Sequence, residues 1–207
     1  ENCILPNRSL SFDGVDDYIE IGDELDMSGS FSIATWLFVN ENTYSTIIVN
    51  AEEGGGGNGY ALMVENDENG GGDDGIVFWV NAGSGNVKVI TPAIFDRWVH
   101  ITAVFISEES LSIYVDGELQ ATTETSITAH GNNATSVIVG DNCGSCNWFL
   151  DGKLDELLVW DAALAESQIQ SYMSTSPTGN ESGLVGYWNF NENTGSTLTD
   201  LSGNGNN

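Results

Sequence analysis

Basic residues are nearly absent from this chain: Arg8, Lys88, Arg97 and Lys153 stand against 31 Asp and Glu, for a formal net charge of -27. Nucleic acid is thereby excluded as a partner, because phosphate backbones are held by clustered Lys and Arg with release of counterions. The same shortage argues against direct binding to anionic membranes and, more weakly, to sulfated or uronic-acid polysaccharides, which would need bridging cations. A surface this acidic suits an extracellular fluid rich in salt and divalent cations, where screening over roughly 8 to 10 Å weakens self-repulsion. No uninterrupted apolar run approaches the roughly 20 residues of a spanning helix. The opening Glu1-Asn2-Cys3 is no basic-then-apolar signal region, so the chain reads as a mature fragment whose targeting signal lies outside it.

Cysteine is scarce too, with three in all. Cys143-Gly-Ser-Cys146 reads as a local disulfide that leaves Cys3 unpaired or linked elsewhere. A redox or zinc role is the competing reading, but the pair lacks the further Cys or His that zinc needs and any βαβ context for thioredoxin-like chemistry.

What the chain does have is apolar volume: 40% of its residues are hydrophobic, including six Trp, eight Phe and six Tyr, enough to bury a core. Short β-type runs recur between Gly, Asn and Asp punctuation: Ser9 to Phe12, Tyr18 to Ile21, Phe31 to Val39, Ser45 to Val49, Tyr60 to Val64 and Ile76 to Val80. The second half continues with Trp98 to Ile106, Leu111 to Val115, Ser136 to Val139, Lys153 to Trp160 and Leu184 to Phe190. Such a count predicts an all-β, two-sheet sandwich. The clearest hairpin is residues 111 to 119, with Leu111, Ile113 and Val115 on one side and Asp116-Gly117 as a positive-φ turn. One short helix is predicted around Ala165 to Met173, where Ile169, Tyr172 and Met173 share a face and Pro177 follows the stop. Glu52 to Gly59 and Glu65 to Gly75, both rich in glycine, read as rim loops.

The stretches SLSFDGVDDYIEIG, FSIATWLFVN, DRWVHITAVF, LSIYVDGELQ and FLDGKLDELLVWDAAL, in this order, resemble the laminin-G-like branch of the concanavalin-A-like jelly rolls. The resemblance covers residues 9 to about 173 and implies a two-sheet antiparallel jelly roll with one short helix near the C-terminus. It sets residues 1-176 as the sandwich and 177-207 as a linker and C-terminal strand. That tail resembles the segment which in many such modules precedes the first strand. It is expected to fold back as a permuted edge strand, since leaving Leu184, Val185, Tyr187 and Trp188 exposed is costly; the alternative is the start of a following module.

The resemblance also implies a calcium ion, with Asp13, Gly14 and Asp16 of FDGVDD and Asp155 of GKLDE as the matching residues. Calcium takes six to eight hard oxygens, so carboxylates and carbonyls from distant segments suit it. Asp13 and Asp16 equally read as turn formers that hydrogen-bond their own backbone, and Asp155 as the cap of a strand end. The acidic loop holding Asp67, Asn69, Asp73 and Asp74 lacks the full EF-hand pattern and reads as solvated.

Folds of this kind also host glycosidases and lyases, so site motifs must decide. A retaining glycosidase needs two carboxylates about 5 to 5.5 Å apart, often displayed as E-x-D-x-x-E; Glu24-Leu-Asp26 and Asp155-Glu156 both lack the third acid. A lyase wants a Tyr or His base with Arg, Asn or Gln beside it, and only His100 and His130 exist. His100, inside a strand, reads as a packed residue. No nucleophile elbow appears. The chain therefore reads as a non-catalytic module of a secreted or cell-surface protein.

Carbohydrate recognition fits best among binding roles, because sugars offer hydroxyls to Asp and Asn and flat CH faces to aromatic rings without needing positive charge. The candidates are Trp148 with Asp141, Asn142 and Asn147 around the CGSC turn, and Tyr44 as a second platform. Trp148 equally reads as a plug of the sandwich edge beside Phe149. Trp36, Trp98, Trp160 and Trp188 sit in strand patterns and are assigned to the core. The rival role is an adhesion or spacer module that contacts protein. Asn7, Asn133 and Asn180 carry N-x-S/T sequons, relevant wherever secreted proteins are glycosylated.

Overall fold

The computed structural model describes residues 8-22, 25, 27, 29-40, 44-51, 58-66, 75-82, 85-128, 136-141 and 148-207. Two antiparallel sheets face each other. The first contains β1 (Leu10–Asp13), β3 (Phe31–Val39), β8 (Val99–Ile106), β9 (Ser110–Val115), β10 (Glu118–Glu124), β12 (Asp151–Trp160) and β13 (Leu184–Trp188). Its order is β1-β12-β3-β8-β9-β10, with β13 also paired to β12. The second runs β2 (Ile19–Gly22), β11 (Val137–Val139), β4 (Ser45–Ala51), β5 (Gly59–Glu65), β6 (Gly75–Asn81), β7 (Asn86–Thr91). The sole helix among the described residues, α1, spans Glu166–Ser174. The all-β jelly-roll sandwich with one short helix is thus the observed architecture.

Strand alternation builds the interior. Phe31, Ile33, Leu37 and Val39 of β3 meet Tyr60, Leu62, Phe78 and Val80 of the opposite sheet in one continuous core. Phe31 sits at its centre, with its ring 5.0 Å from Tyr60, 5.9 Å from Phe78 and 5.4 Å from Phe105. The predicted hairpin is present: Leu111, Ile113 and Val115 all enter the core, and Asp116 and Gly117 adopt φ of 50° and 79°. The Asp116 carboxylate accepts the His100 N–H and bridges to Arg97, which fixes the turn on β8.

The outer face of the first sheet is covered as well. Ala34, Val104, Leu158 and Trp160 pack under Leu164, Ile169, Leu184 and Tyr187, while the Tyr172 ring stacks on Trp160 at 4.9 Å. Gln170 donates to the Gly117 carbonyl, pinning α1 to the β9–β10 turn. Trp36, Trp160 and Trp188 are buried, as assigned; Trp98 is not, and lies half-buried ahead of β8 with its ring edge-on to Phe38.

One edge of β12 is shared end to end: β1 pairs with residues 151 to 154 and β13 with residues 157 to 160. Between them β12 bulges, with Glu156 at φ 51°. Beyond β13 the chain wraps the buried Asp200 carboxylate, which accepts N–H bonds from Tyr187, Ser202, Gly205 and Asn206. Burial alone would raise its pKa, yet donors from Ser202, Asn206 and Tyr187 hold it below the usual carboxylate range.

Candidate functional site

The outer face of the second sheet carries an apolar strip set by strand register. Ile138 of β11 opposes Val49, Val49 opposes Ala61, Ala61 opposes Trp79, and Trp79 opposes Lys88. The next row is Thr46, Met63, Val77 and Ile90. Val49, Ala61, Met63, Val77 and Trp79 form a buried cluster, on which Tyr44 and Trp148 pack from the side.

Those two rings, remote in sequence, lie 4.6 Å apart at an interplanar angle of 40°. Thr46 donates its backbone N–H to the Trp148 carbonyl, which ties the segment before β12 to β4. Tyr44 Oη donates to Glu65 Oε1 at 3.1 Å, and burial together with the Glu65 charge pushes the phenol pKa upward. Both rings keep part of their surface exposed. Beneath them Thr46 Oγ1 is fully buried and has no hydrogen-bond partner among the described residues. The arrangement joins two partly exposed aromatic faces and a carboxylate, a combination that fits a sugar's CH face and hydroxyl rim.

The sequence candidates meet this site unevenly. Tyr44 and Trp148 come together; Asp141, just after β11, is buried at 6% exposure. Asn142, Asn147, Cys143 and Cys146 lie outside the described residues, as do Cys3, His130, Asn7, Asn133, Glu24, Asp26 and most of both glycine-rich loops with Asp67, Asn69, Asp73 and Asp74. Asn180 is exposed. Trp79, Glu65 and Thr46 were not singled out from sequence, because only pairing register puts them on this face.

A second feature lies in the β1–β2 turn. Asp13, Asp16 and Asp17 are exposed, and one carboxylate oxygen from each lies within 4.8 Å of the others. Asp13 Oδ1 accepts the Val15 N–H and Asp17 Oδ2 the Asp13 N–H, so the turn itself brings the charges together. Gly14, at φ 75°, donates to the Leu150 carbonyl, and a Cβ there would stand 3.0 Å from Asp151 Cβ. Register sets Asp151 opposite Asp13. Three hard carboxylates without a basic partner among the described residues suit a hard divalent cation.

Asp155 does not join them. It lies four residues beyond Asp151 on β12, about 13 Å along a strand, at 5% exposure. Its Oδ1 accepts the Glu156 N–H at 2.9 Å, and burial, reinforced by the Glu156 charge, pushes its pKa up to about 7. Across β3 from it, register brings Trp36 and then His100, whose imidazole sits edge-on to the Trp36 ring. Burial pushes His100 down to about 4 against the pull of Asp116. A neutral, enclosed imidazole in the other sheet offers the ring pair no base.

Comparison with known proteins gives the same architecture. The family model described as Concanavalin A-like lectin/glucanases superfamily matches residues 13–170. A candidate carbohydrate binding protein from Bacteroides ovatus superposes with a TM-score of 0.75 at 19% identity, over 96% of this chain and 56% of that one. Domain 4 of AbnA, a GH43 extracellular arabinanase from Geobacillus stearothermophilus, solved with arabinotriose, gives 0.64 at 18% identity over 81% and 76%. A heptameric SAP-like pentraxin from Limulus polyphemus gives 0.63 at 15% identity over 93% and 90%. Among curated proteins, human adhesion G-protein coupled receptor D1 is 24% identical over 81 residues, which are 38% of this chain and 9% of the receptor. Among the described residues no helix is long and apolar enough to cross a membrane.

Proposed function

Because the chain belongs to the Concanavalin A-like lectin/glucanases superfamily, we propose that it is a non-catalytic, extracellular carbohydrate-recognition module of a larger protein, its sugar platform the Tyr44–Trp148 ring pair. The observation that carries this reading is the pairing of those rings, 4.6 Å apart, beside the Glu65 carboxylate. The likeness to domain 4 of an arabinanase solved with arabinotriose supports a glycan partner. Nucleic acid and anionic membranes are disfavoured by the charge of -27. Residues 177-207 act as part of the same module through β13.

Calcium belongs to this reading. Asp13 and Asp16, joined by Asp17 and with Asp151 facing them across the strand pair, would hold it. When bound, it neutralises their repulsion and clamps the β1–β2 turn. The test is a glycan array run with and without calcium on the wild type and on Trp148→Ala. Reproducible binding to at least one neutral glycan that the variant loses is the expected result, and an array profile from which Trp148→Ala removes no glycan refutes the platform. The match to an adhesion receptor favours one second reading, an adhesion or spacer module contacting protein; it expects no reproducible sugar signal at all.

A further inference from the structure

Among the described residues, the sandwich is open along the edge where β1 and β2 leave one sheet for the other, and the C-terminal segment closes that edge only in part. Between them lies a cavity of about 490 Å³, within the range of small-molecule sites. We propose that this cleft is a second binding site, one that takes a neutral sugar ring with Tyr18 as its aromatic face. It shares a ligand class with the ring pair but none of its residues, so the two stand or fall separately.

The floor is apolar: Leu10, Ile19 and Leu198 pack on the main core, and Trp188 is buried beside them. Over it stands Tyr18, 58% exposed, a large aromatic surface that the fold itself does not bury. The opposite rim presents the exposed hydroxyl residues Ser196 and Thr197. An apolar floor under a ring of hydroxyls matches a pyranose or furanose, whose CH face and hydroxyl edge alternate in the same way.

Charge narrows the class. Glu20 is the one acidic side chain among the described lining residues, and no Lys or Arg is among them. A phosphate, sulfate or uronate would meet repulsion without a counter-charge. Glu20 Oε1 already accepts the Ser136 hydroxyl, which leaves it a poor anchor for an amine. A wholly apolar ligand would desolvate the rim hydroxyls without replacing their hydrogen bonds.

The walls are held before any ligand arrives. Trp188 Nε1 donates to the Asn206 carbonyl at 3.1 Å, and Asn207 Oδ1 accepts the Asp200 N–H at 2.8 Å. Glu192 Oε1 accepts the Thr199 N–H, which braces the loop bearing Ser196, Thr197 and Leu198. Such bracing removes ordering cost from binding.

The test is an NMR titration of the whole chain with maltotriose, cellotriose, xylotriose, mannotriose and arabinotriose. Saturable shifts at Tyr18, Ile19, Thr197 and Leu198 are expected with at least one of them. Tyr18→Ala, at an exposed position that should leave the spectrum folded, is expected to weaken that binding by about tenfold. Thr197→Trp, which fills the cleft, should abolish it, and Trp148→Ala should leave it intact. No shift in these residues with any of the sugars overturns the proposal, as does binding that survives both cleft variants. Shifts confined to Tyr44 and Trp148 overturn it too, while leaving the ring-pair reading in place.

Discussion

Asp155→Asn should change how stability depends on pH, and in a direction the structure fixes. The Asp155 carboxyl is raised from 3.8 to about 7, so between these values the folded chain holds a proton that the unfolded chain has released. Its contribution is fully present below pH 3.8 and is lost as pH rises through 7. Roughly three units at about 1.4 kcal/mol each set a ceiling near 4 kcal/mol. His100 acts in the opposite sense. Its pKa is lowered from 6.5 to about 4, so the unfolded chain binds the extra proton, and stability grows as pH rises from 4 to 6.5, with a ceiling of roughly 3 kcal/mol. The two largely cancel over that window, and above it Asp155 acts alone up to pH 7.

Urea unfolding of wild type and Asp155→Asn at half-unit steps of pH isolates the carboxyl, because the repulsion among other acidic groups is common to both. The variant should gain on the wild type by about 2 to 4 kcal/mol between pH 4 and 7.5 and then run parallel to it. Its own curve should rise over pH 4 to 6.5 with the His100 slope exposed. Repeating the series with EDTA and with calcium separates burial from ligation: a ligand role for Asp155 predicts that the variant loses stability in calcium. Curves parallel within about 0.5 kcal/mol across the whole range would refute the reasoning.

Calcium added to metal-free protein should raise Tm, by the equivalent of about 2.7 kcal/mol at a hundred times Kd, and Asp13→Asn with Asp16→Asn should remove the increment; an unchanged Tm sinks the calcium reading. Gly152→Ala should destabilise by about 3 kcal/mol in urea unfolding, since its Cβ would lie 2.2 Å from the Phe38 carbonyl oxygen. Asp200→Ala should cost roughly 2 to 4 kcal/mol by stranding four N–H donors, with faster amide exchange confined to residues after β13 as the local signature. Trp148→Ala, a half-buried ring over the outer cluster, should cost about 2 kcal/mol; a loss above about 4 kcal/mol would mark the ring as an edge plug first.

Where a strand sets its large apolar residues at alternate positions toward the inter-sheet core, it was readable even though its other face is covered as well. Phe31 to Val39 and Leu111 to Val115 were placed at or within a residue of their observed bounds, because each misplaced residue would turn a large side chain out of the core. β7 escaped notice, and β10 was seen only at its start, as the far arm of the 111 to 119 hairpin. The burial of β10, Glu-Leu-Gln-Ala-Thr-Thr-Glu, leaves most positions exposed, and an edge strand with a polar outer face gives no periodic signal. β7 lies at the other sheet's edge, and its exposed Asn86 and Lys88 interrupt the apolar alternation. Trp98 was misassigned to the core for a related reason: it stands one residue ahead of β8, where alternation no longer dictates burial.

The site was legible where it is local and opaque where it depends on pairing. Asp13, Gly14 and Asp16 share one turn, so FDGVDD announces them, and the neighbouring Asp17 follows from the same motif. Asp155 looked like their partner because FDGVDD and GKLDE both match the family pattern. The register of β1 on β12 sets Asp151 opposite Asp13, while Asp155 lies beyond β1, next to Glu156, which accepts the Tyr187 hydroxyl at 2.6 Å. The ring pair shows the same division. Tyr44 and Trp148 each stood out as aromatics near turns, but their contact follows from one backbone bond, Thr46 to Trp148. Trp79 and Glu65 reach the same face through β5 and β6 registers that no short motif encodes. A sheet's outer face is therefore assembled one residue at a time from several strands, which is why its aromatic and polar composition becomes visible only after the strands are aligned.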